Sequence, residues 1–243
     1  MKIVKFSFGT SHQRYKDHEE DIKALINDDY YPFVSLAKEV ITTRKGETFL
    51  KCPANTDFLL NTYGFVAPHD LTIHLNAVPP SASLHCPDIS QEMFNKLIDY
   101  RFLTPTEKGI SPYPLIGIDW LNTFTTNEPM LMQMLPAFMH YNEFTSKATV
   151  IPGEFDISKW TRSAELVFEV KNQKDTIHIK KGDILAYFKF HSDDIVKLEQ
   201  QPVPWPETVI CADIVERDRF RPLKERYTSL EEVRKCPYDP ANK

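Results

Sequence analysis

The segment PHDLTIHL, residues 68–75, holds side chains whose types and spacing could bind a metal ion. Side chains two positions apart in a strand share a face, so Asp70, Thr72 and His74 would point the same way, with His69 directly before them. Two histidines and one carboxylate form a common ligand set for divalent transition metals. This spacing raises the hypothesis of a metal-dependent enzyme.

A local strand completes only part of that ligand set. Asp70 and His74 meet the geometry, and a third ligand would have to come from His85, His140 or elsewhere in the chain. Histidines that hydrogen-bond at the surface or at an interface explain the same residues without a metal, and we prefer this interpretation. The polar run HEED at residues 18–21 is likewise explained as the start of a helix, where acids complement the helix dipole.

Other signatures of catalysis are absent from the sequence. It contains no Walker loop, no dinucleotide-binding fingerprint, no H-E-x-x-H pair and no nucleophile motif. The four cysteines are widely spaced, at Cys52, Cys86, Cys211 and Cys236. This spacing excludes a zinc ribbon and a C-x-x-C redox motif, and it favours reduced thiols. We therefore expect no cofactor.

Composition and charge narrow the class of protein. The 243 residues are 42% apolar and 26% charged, which is typical of a globular protein, and the net charge of −5 disfavours nucleic acid as a partner. The sequence has no run of about 18 apolar residues, and its first residues become polar too early for the core of a signal peptide. We expect an intracellular protein that is neither secreted nor bound to a membrane.

Alternation of polar and apolar residues predicts a mainly β fold. Strands are predicted at residues 2–8, on either side of a turn at Gly46, and in short pieces from 57 to 76. Further strands are predicted between 115 and 141 and from 164 to 170, whereas residues 78–90 are interpreted as a loop. In MLMQML, three methionines share one face. Such a stripe can form an adaptable binding surface, but we prefer a core or a subunit interface.

The segment IHIKKGDILAYFKF, residues 177–190, has the pattern of a β-hairpin. It combines a polar-apolar alternation, a Lys-Lys-Gly-Asp turn and a second strand-like run. The segment DIVKLEQQPVPWP then predicts one more strand with a proline-rich exit.

Helices are predicted at a few places around this β body. One covers residues 17–27, and another runs from a cap at Asp88 or Ser90 to about residue 100, as an insertion between strands. Beyond the prolines at 202–206 the pattern becomes helical, with a capping box formed by Ser229 and Glu232. These patterns predict a β-rich body at 1–205, a helical insertion at about 88–101 and a helical tail at 206–243.

Residues 153–190 resemble the C-terminal half of the trimeric dUTPase and dCTP deaminase family, whose fold is the β-clip. That family carries a G-x-I-D-x-x-Y-R-G segment, a strand, an asparagine and a hairpin of the type G-D-R-I-A-Q-L-I-F. The corresponding text here is GEFDISKWTRS, AELVFEVKN and GDILAYFKF. The matching positions follow in nearly the same order, at Gly153, Asp156, Arg162, Asn172, Gly182, Asp183, Ala186 and Phe190. The resemblance implies a β-clip-like, dUTPase-like body.

The resemblance also implies roles for individual residues. The family's aspartate at the position of Asp156 contacts the deoxyribose and helps to position the attacking water. Trp160 and Arg162 could stack on or grip a ligand, although a core tryptophan and an inter-subunit ion pair explain them equally well. Asn172 and Tyr187 complete the ligand-binding set that the resemblance implies. A turn aspartate that bonds its own backbone is the alternative interpretation of Asp156, and we prefer it.

Departures from the family pattern argue against nucleotide hydrolysis. Ile184 replaces the arginine after Gly182-Asp183, Tyr187 replaces the glutamine, and no P-R-S-G segment is present. No glycine follows Gly182, so the glycine-rich lid that those enzymes fold over the triphosphate has no counterpart in this sequence. Backbone donors for the phosphates are therefore missing.

Three longer segments are similar to an uncharacterised family of tailed-phage proteins, especially marine ones. They are KCPANTDFLLNTYGFVAPHDLTI, DWLNTFTTNEPMLMQMLPAF and the text from VIPGEF to AYFKF. This resemblance implies a viral origin and a location in the host cytoplasm or the virion. It carries no activity.

The sequence thus favours a non-enzymatic, phage-encoded binding or assembly module on a β-clip-like scaffold, with a second copy or another viral protein as its partner. The alternative is a divergent nucleotide hydrolase or deaminase that uses Asp156, Arg162 and Asn172. A weaker alternative is a metal-dependent enzyme that uses His69, Asp70 and His74.

Overall fold

The structure describes eight stretches of the chain. The computed structural model describes residues 1–8, 31–43, 52–77, 80–103, 114–120, 122–158, 164–172 and 176–200. The predicted helix at 17–27, the turn at Gly46 and the predicted tail at 206–243 lie outside these residues. Trp160 and Arg162 also lie outside them.

The described residues are mainly β, which confirms that part of the prediction. Four helices occur among them, namely α1 Leu36–Thr43, α2 Pro53–Leu59, α3 Gln91–Leu97 and α4 Glu143–Lys147. The strands are β1 Lys2–Phe8, β2 Phe33–Ser35, β3 Thr62–Val66, β4 Leu71–Ala77, β5 Pro80–His85, β6 Asp99–Leu103, β7 Leu115–Asp119, β8 Asn122–Thr125, β9 Leu131–Pro136, β10 Ala148–Val150, β11 Gly153–Asp156, β12 Leu166–Val170, β13 Thr176–Ile179, β14 Ile184–Phe190 and β15 Val196–Gln200.

These strands form four small sheets. A five-stranded sheet has the order β11-β9-β14-β3-β2, and a four-stranded sheet has the order β10-β12-β7-β6. Two three-stranded sheets have the orders β15-β1-β8 and β13-β4-β5. Strands β1 and β15 pair in parallel, and the other described pairs are antiparallel.

The main core lies between the sheets and is rich in phenylalanine. The rings of Phe33 and Phe124 contact Phe188 of β14, with centroids 5.7 Å and 5.3 Å apart, and Phe6 of β1 packs edge-on against Phe33. The methionines of β9 and the one directly before it belong to this core, since Met130, Met132 and Met134 are buried. The core interpretation of the methionine stripe is therefore confirmed.

Strand β14 is buried on both faces, because consecutive residues from Leu185 to Phe188 are inaccessible to solvent. Phe188 and Phe190 point into the main core, whereas Tyr187 packs on the other face in a smaller cluster formed with Leu36, Leu59 and Ala137. A bulge in the pairing with β3 lies between Ile184 and Ala186. Strand β14 therefore packs against an apolar cluster on each of its two faces.

The predicted hairpin at 177–190 is wrong in its pairing. Strand β13 pairs with β4, whereas β14 pairs with β3 and β9, so the two runs enter different sheets. The turn between them bonds to the segment around Ala67. The Gly182 N–H donates to the Ala67 carbonyl, and the Ala67 N–H donates to the Asp183 carbonyl. Both edges of β14 are occupied, one by β3 and the other by β9, so no edge is left for β13. Gly182 has a φ of +97°, which suits the turn.

Two further local predictions are also wrong. Residues 57–60, predicted as strand, belong largely to α2, which begins with Pro53 in its first turn. The ammonium group of Lys189 donates to three carbonyls at the end of this helix, and such a distant contact has no local signal. Residues 80–85, predicted as loop, form β5, because they pair along their length with β4. Tertiary pairing here overrides weak propensity.

Asn61 joins three strands at one point. Its φ of 59° lies in the left-handed region, which asparagine tolerates better than most residues. Its side-chain amide donates to the carbonyls of Ser192 and Asp194, at 3.1 Å and 2.8 Å, and its side-chain oxygen accepts from the N–H of Val196 at 2.8 Å. Asn61 therefore fixes where β14 ends and β15 begins.

We expect Asn61→Ala to lower the free energy of unfolding by about 3 kcal/mol, because it strains the left-handed backbone and leaves the buried Val196 N–H unpaired. The stability of Asn61→Gly should lie between that of the wild type and that of Asn61→Ala, since glycine accepts the backbone conformation but lacks the amide. Urea unfolding measures both. Asn76→Ala, at an exposed site, should change stability by less than about 0.5 kcal/mol. Equal losses for Asn61→Ala and Asn76→Ala would contradict this role.

Candidate functional site

A loop between β9 and α4 carries the most exposed aromatic side chains of the described chain. Phe138 is 66% exposed and Tyr141 is 91% exposed. We call residues 137–142 the aromatic loop. Large aromatic groups are usually buried, so two of them on one short loop mark a surface that can bind another molecule.

The buried hydroxyl of Tyr187 anchors the middle of the aromatic loop. It accepts a hydrogen bond from the N–H of Met139 at 3.0 Å and lies 2.6 Å from Nδ1 of His140. Nε2 of His140 lies 3.1 Å from a carboxylate oxygen of Glu39 in α1. Each group is satisfied when Tyr187 donates to Nδ1 and a neutral His140 donates from Nε2 to Glu39. A fully buried phenol needs such partners.

Asn142 fixes the end of the aromatic loop. Its side-chain oxygen accepts from the Thr145 N–H, and the Thr145 hydroxyl accepts from the Asn142 N–H, which forms a capping box for α4. The Asn142 amide also donates to the carbonyl of Ile184 in β14, at 2.9 Å. Both the middle and the end of the loop are therefore tied to the same central strand.

Phe58 of α2 extends the exposed aromatic surface. Its ring packs against Phe138 with centroids 5.4 Å apart, and Phe138 in turn packs edge-on against Tyr187 at 5.4 Å. We call Phe58, Phe138 and Tyr141 the aromatic patch. None of these side chains carries a charge at neutral pH. The rings of Phe58 and Phe138 already pack together before any partner arrives, which lowers the entropy cost of binding.

The residues assigned to a nucleotide site by the resemblance lie at separate places. Asp156 pairs with Leu131 at one end of β9, and Tyr187 pairs with Leu135 near the other end. Four residues along a strand span about 13 Å. Asn172 is exposed just beyond the end of β12, in another sheet. The structure therefore does not bring Asp156 and Tyr187 together.

Asp156 takes part in a local turn. Its carboxylate accepts from the N–H of Ser158 at 3.2 Å and from the Ser158 hydroxyl at 2.5 Å. This is the bonding pattern of an aspartate that stabilises its own turn. A nucleotide site at Asp156 stays a prediction.

The three side chains of the predicted metal site have different partners. Nδ1 of His69 lies 3.2 Å from the carboxylate of Asp88, and Asp70 accepts from the N–H of Lys181 at 2.7 Å. His74 is exposed and lies 3.4 Å from the hydroxyl of Thr176. Asp70 and His74 are four residues apart along an extended chain, or about 13 Å, which is too far for one ion.

The structure brings His69 together with two residues that sequence reasoning did not include. The ligand atoms of His69, Cys86 and Asp88 all lie within 4.8 Å of one another. The Cys86 thiol is buried, and burial raises its pKa, although backbone N–H groups of Asp88 and Ile89 point at the sulfur and partly offset the effect. Two of the remaining histidines have their own partners, since His85 contacts Gln91 and His140 contacts Tyr187.

A polar groove of about 470 Å³ runs beside the end of β14. Its lining includes Lys189, Asp57 and Lys2. The Lys189 ammonium already donates to carbonyls of α2, and burial lowers its pKa. Lys189 thus stabilises the end of a helix, and the Lys2 ammonium lies 3.2 Å from the Glu128 carboxylate.

Sequence reasoning missed the aromatic loop because PAFMHY was interpreted as part of the run of strands. The signals that could have found it are a proline at the strand end, three large side chains within four residues, and an Asn-x-x-Thr cap directly afterwards. The link to Tyr187 depends on pairing between β9 and β14, so no local pattern predicts it.

The comparisons with known proteins assign no family. No protein-family model matches the chain, and no curated protein matches it significantly. Within the described ranges, the helices are all too short or too polar to cross a lipid bilayer.

We expect Tyr187→Phe to destabilise the protein by about 1–3 kcal/mol, because the part-buried Met139 N–H and the His140 ring each lose a partner. Hydrogen exchange at the Met139 amide should become faster in this variant. Tyr63→Phe is the matched control, since it removes a hydroxyl that bonds the Val196 carbonyl far from the loop. Unchanged exchange at Met139 in Tyr187→Phe would contradict the anchoring role.

Proposed function

We propose that this protein is a binding or assembly module without catalytic activity of its own, and that its aromatic patch pairs with a second copy of the chain. The exposure of Phe138 and Tyr141 on an anchored loop is the observation that carries this proposal. Aromatic residues held in place at a surface are typical centres of protein interfaces.

Charge supports a second copy as the partner. Two copies that each carry a net charge of −5 repel one another, so they meet most easily where neither surface is charged. The three side chains of the aromatic patch are uncharged, and one cation, the Lys189 ammonium, lies 5.2 Å from the centroid of the Phe58 ring. In a two-fold symmetric pair the patch would face its own copy, and aromatic rings pack well edge to face.

Size supports a role as the centre of a larger interface. A buried aromatic side chain covers about 150–250 Å², so the patch provides less than the roughly 800 Å² per partner that a stable interface needs. Polar residues around it would supply the rest, as in most interfaces.

The proposal includes a β-clip-like scaffold with a helical tail, and a viral assembly as the setting. The support comes from the order of motifs in 153–190, from the small sheets around one core, and from the similarity to tailed-phage proteins. Another viral protein is the alternative partner. The position of Asp156 in a local turn, and its separation from Tyr187, support the absence of nucleotide chemistry.

We expect the protein to sediment as an oligomer at micromolar concentration, and the double variant Phe138→Ser, Tyr141→Ser to weaken self-association by at least about 30-fold, since an interface hot spot contributes about 2 kcal/mol or more. Analytical ultracentrifugation measures both. Ile195→Ser removes another exposed apolar side chain (61% exposed) away from the loop and is the matched control. A monomeric wild type, or equal effects of both changes, would contradict the proposal.

We expect incubation with dUTP or dCTP to give no hydrolysis or deamination, because Asp156 and Tyr187, two residues that the family resemblance implies, pair near opposite ends of β9. Chromatography of the nucleotides measures the outcome. Turnover that disappears in Asp156→Ala but persists in Glu154→Ala, an exposed carboxylate on the same strand, would contradict a non-catalytic role and support the enzyme alternative.

A further inference from the structure

The β4–β5 hairpin sets two potential metal ligands opposite each other at its open end. In this hairpin Thr72 pairs with His85. Extending the antiparallel register by three residues places His69 opposite Asp88, and the observed separation of 3.2 Å between Nδ1 and the carboxylate agrees with this register. Cys86 lies two residues before Asp88, between β5 and α3. Its sulfur completes a set of three donor atoms within 4.8 Å of one another.

We infer that His69, Cys86 and Asp88 form a zinc-binding site. Imidazole nitrogen, cysteine sulfur and carboxylate oxygen are the three ligand types that zinc takes in proteins. A thiolate disfavours calcium and magnesium, which prefer oxygen ligands. The site is independent of the aromatic patch, so either one can be correct without the other.

The distances suit a tetrahedral ion after small side-chain movements. Zinc bonds of about 2.0–2.3 Å place ligand atoms about 3.3–3.8 Å apart in a tetrahedron. The pair formed by His69 and Asp88 is already close to this separation, at 3.2 Å. The sulfur lies within reach of both.

The surroundings of the three ligands also suit zinc. The three ligand atoms lie close together at the edge of the fold, within 4.8 Å of one another. The sulfur lies inside the fold, whereas the Asp88 side chain is 46% exposed, so an ion can enter from solvent. Three protein ligands leave a fourth position for water or for a donor from another molecule.

A bound ion would join the open end of the β4–β5 hairpin to the start of α3. All three ligands belong to the two connections that flank this hairpin, since His69 precedes β4 and Cys86 and Asp88 follow β5. Zinc should therefore stabilise the folded protein, because the unfolded chain does not hold the ligands together.

Titration of the purified full chain with Co²⁺ and then Zn²⁺ tests the site. We expect Co²⁺ to produce a thiolate-to-cobalt charge-transfer band that Zn²⁺ abolishes, with one ion per chain. Loss of outer-shell partners weakens metal sites by about 10–100-fold, so Cys86→Ser, which removes a direct ligand, should weaken binding by at least about 100-fold. Cys52→Ser is the matched control, because Cys52 is an exposed thiol outside the cluster, and its affinity should equal that of the wild type.

A second variant keeps the test valid if serine at the buried position 86 impairs folding. Asp88→Asn changes an exposed side chain, and it should reduce zinc affinity and abolish the rise in melting temperature that zinc gives the wild type. The inference is overturned if no thiolate band forms, if wild type and Asp88→Asn bind zinc equally, or if Cys52→Ser loses binding. Ferrous iron bound in place of zinc would overturn the assignment of the metal.

Discussion

The structure depends on one buried hydroxyl, that of Tyr187, in the middle of a strand that is buried there on both faces. A phenol in this position must have hydrogen-bond partners, since an unpaired one costs about 1–3 kcal/mol. Its partners are the Met139 backbone and the His140 ring, and Glu39 holds the ring from α1. The need to satisfy one polar atom in the core therefore fixes the loop that presents Phe138 and Tyr141 at the surface.

The same strand belongs to one of two long segments that connect two of the four small sheets. Chain segments 62–77 and 176–190 run side by side in opposite directions, and both leave one sheet for the next at the same point. At that point the Gly182 N–H donates to the Ala67 carbonyl, and the Ala67 N–H donates to the Asp183 carbonyl. The Asp70 carboxylate accepts from the Lys181 N–H. Because the two segments bend together, their backbone N–H and C=O groups stay paired where they pass from one sheet to the next. Neither segment therefore exposes an unpaired strand edge at the bend.

The sequence predicted the mainly β class and most strands whose apolar residues alternate, such as β1, β9 and β12. It failed where pairing decides structure. Residues 80–85, PSASLH, have little strand propensity and become a strand because β4 lies beside them. The alternation at 177–190 correctly indicated two strands but not that they separate, because alternation reports which face is buried and carries no information about the neighbour.

The candidate sites follow the same rule. The residue types in PHDLTIHL suggested a metal site with His74, but strand geometry puts His74 about 13 Å from Asp70. Only the hairpin register, with Thr72 opposite His85, brings His69 to Asp88 and Cys86. Likewise, Tyr187 entered the argument as a ligand residue by family resemblance, and its pairing opposite Leu135 gives it a role in anchoring the aromatic loop. In both cases the residue types can be read from the sequence, whereas the side chains and backbone groups that they contact depend on which strands pair.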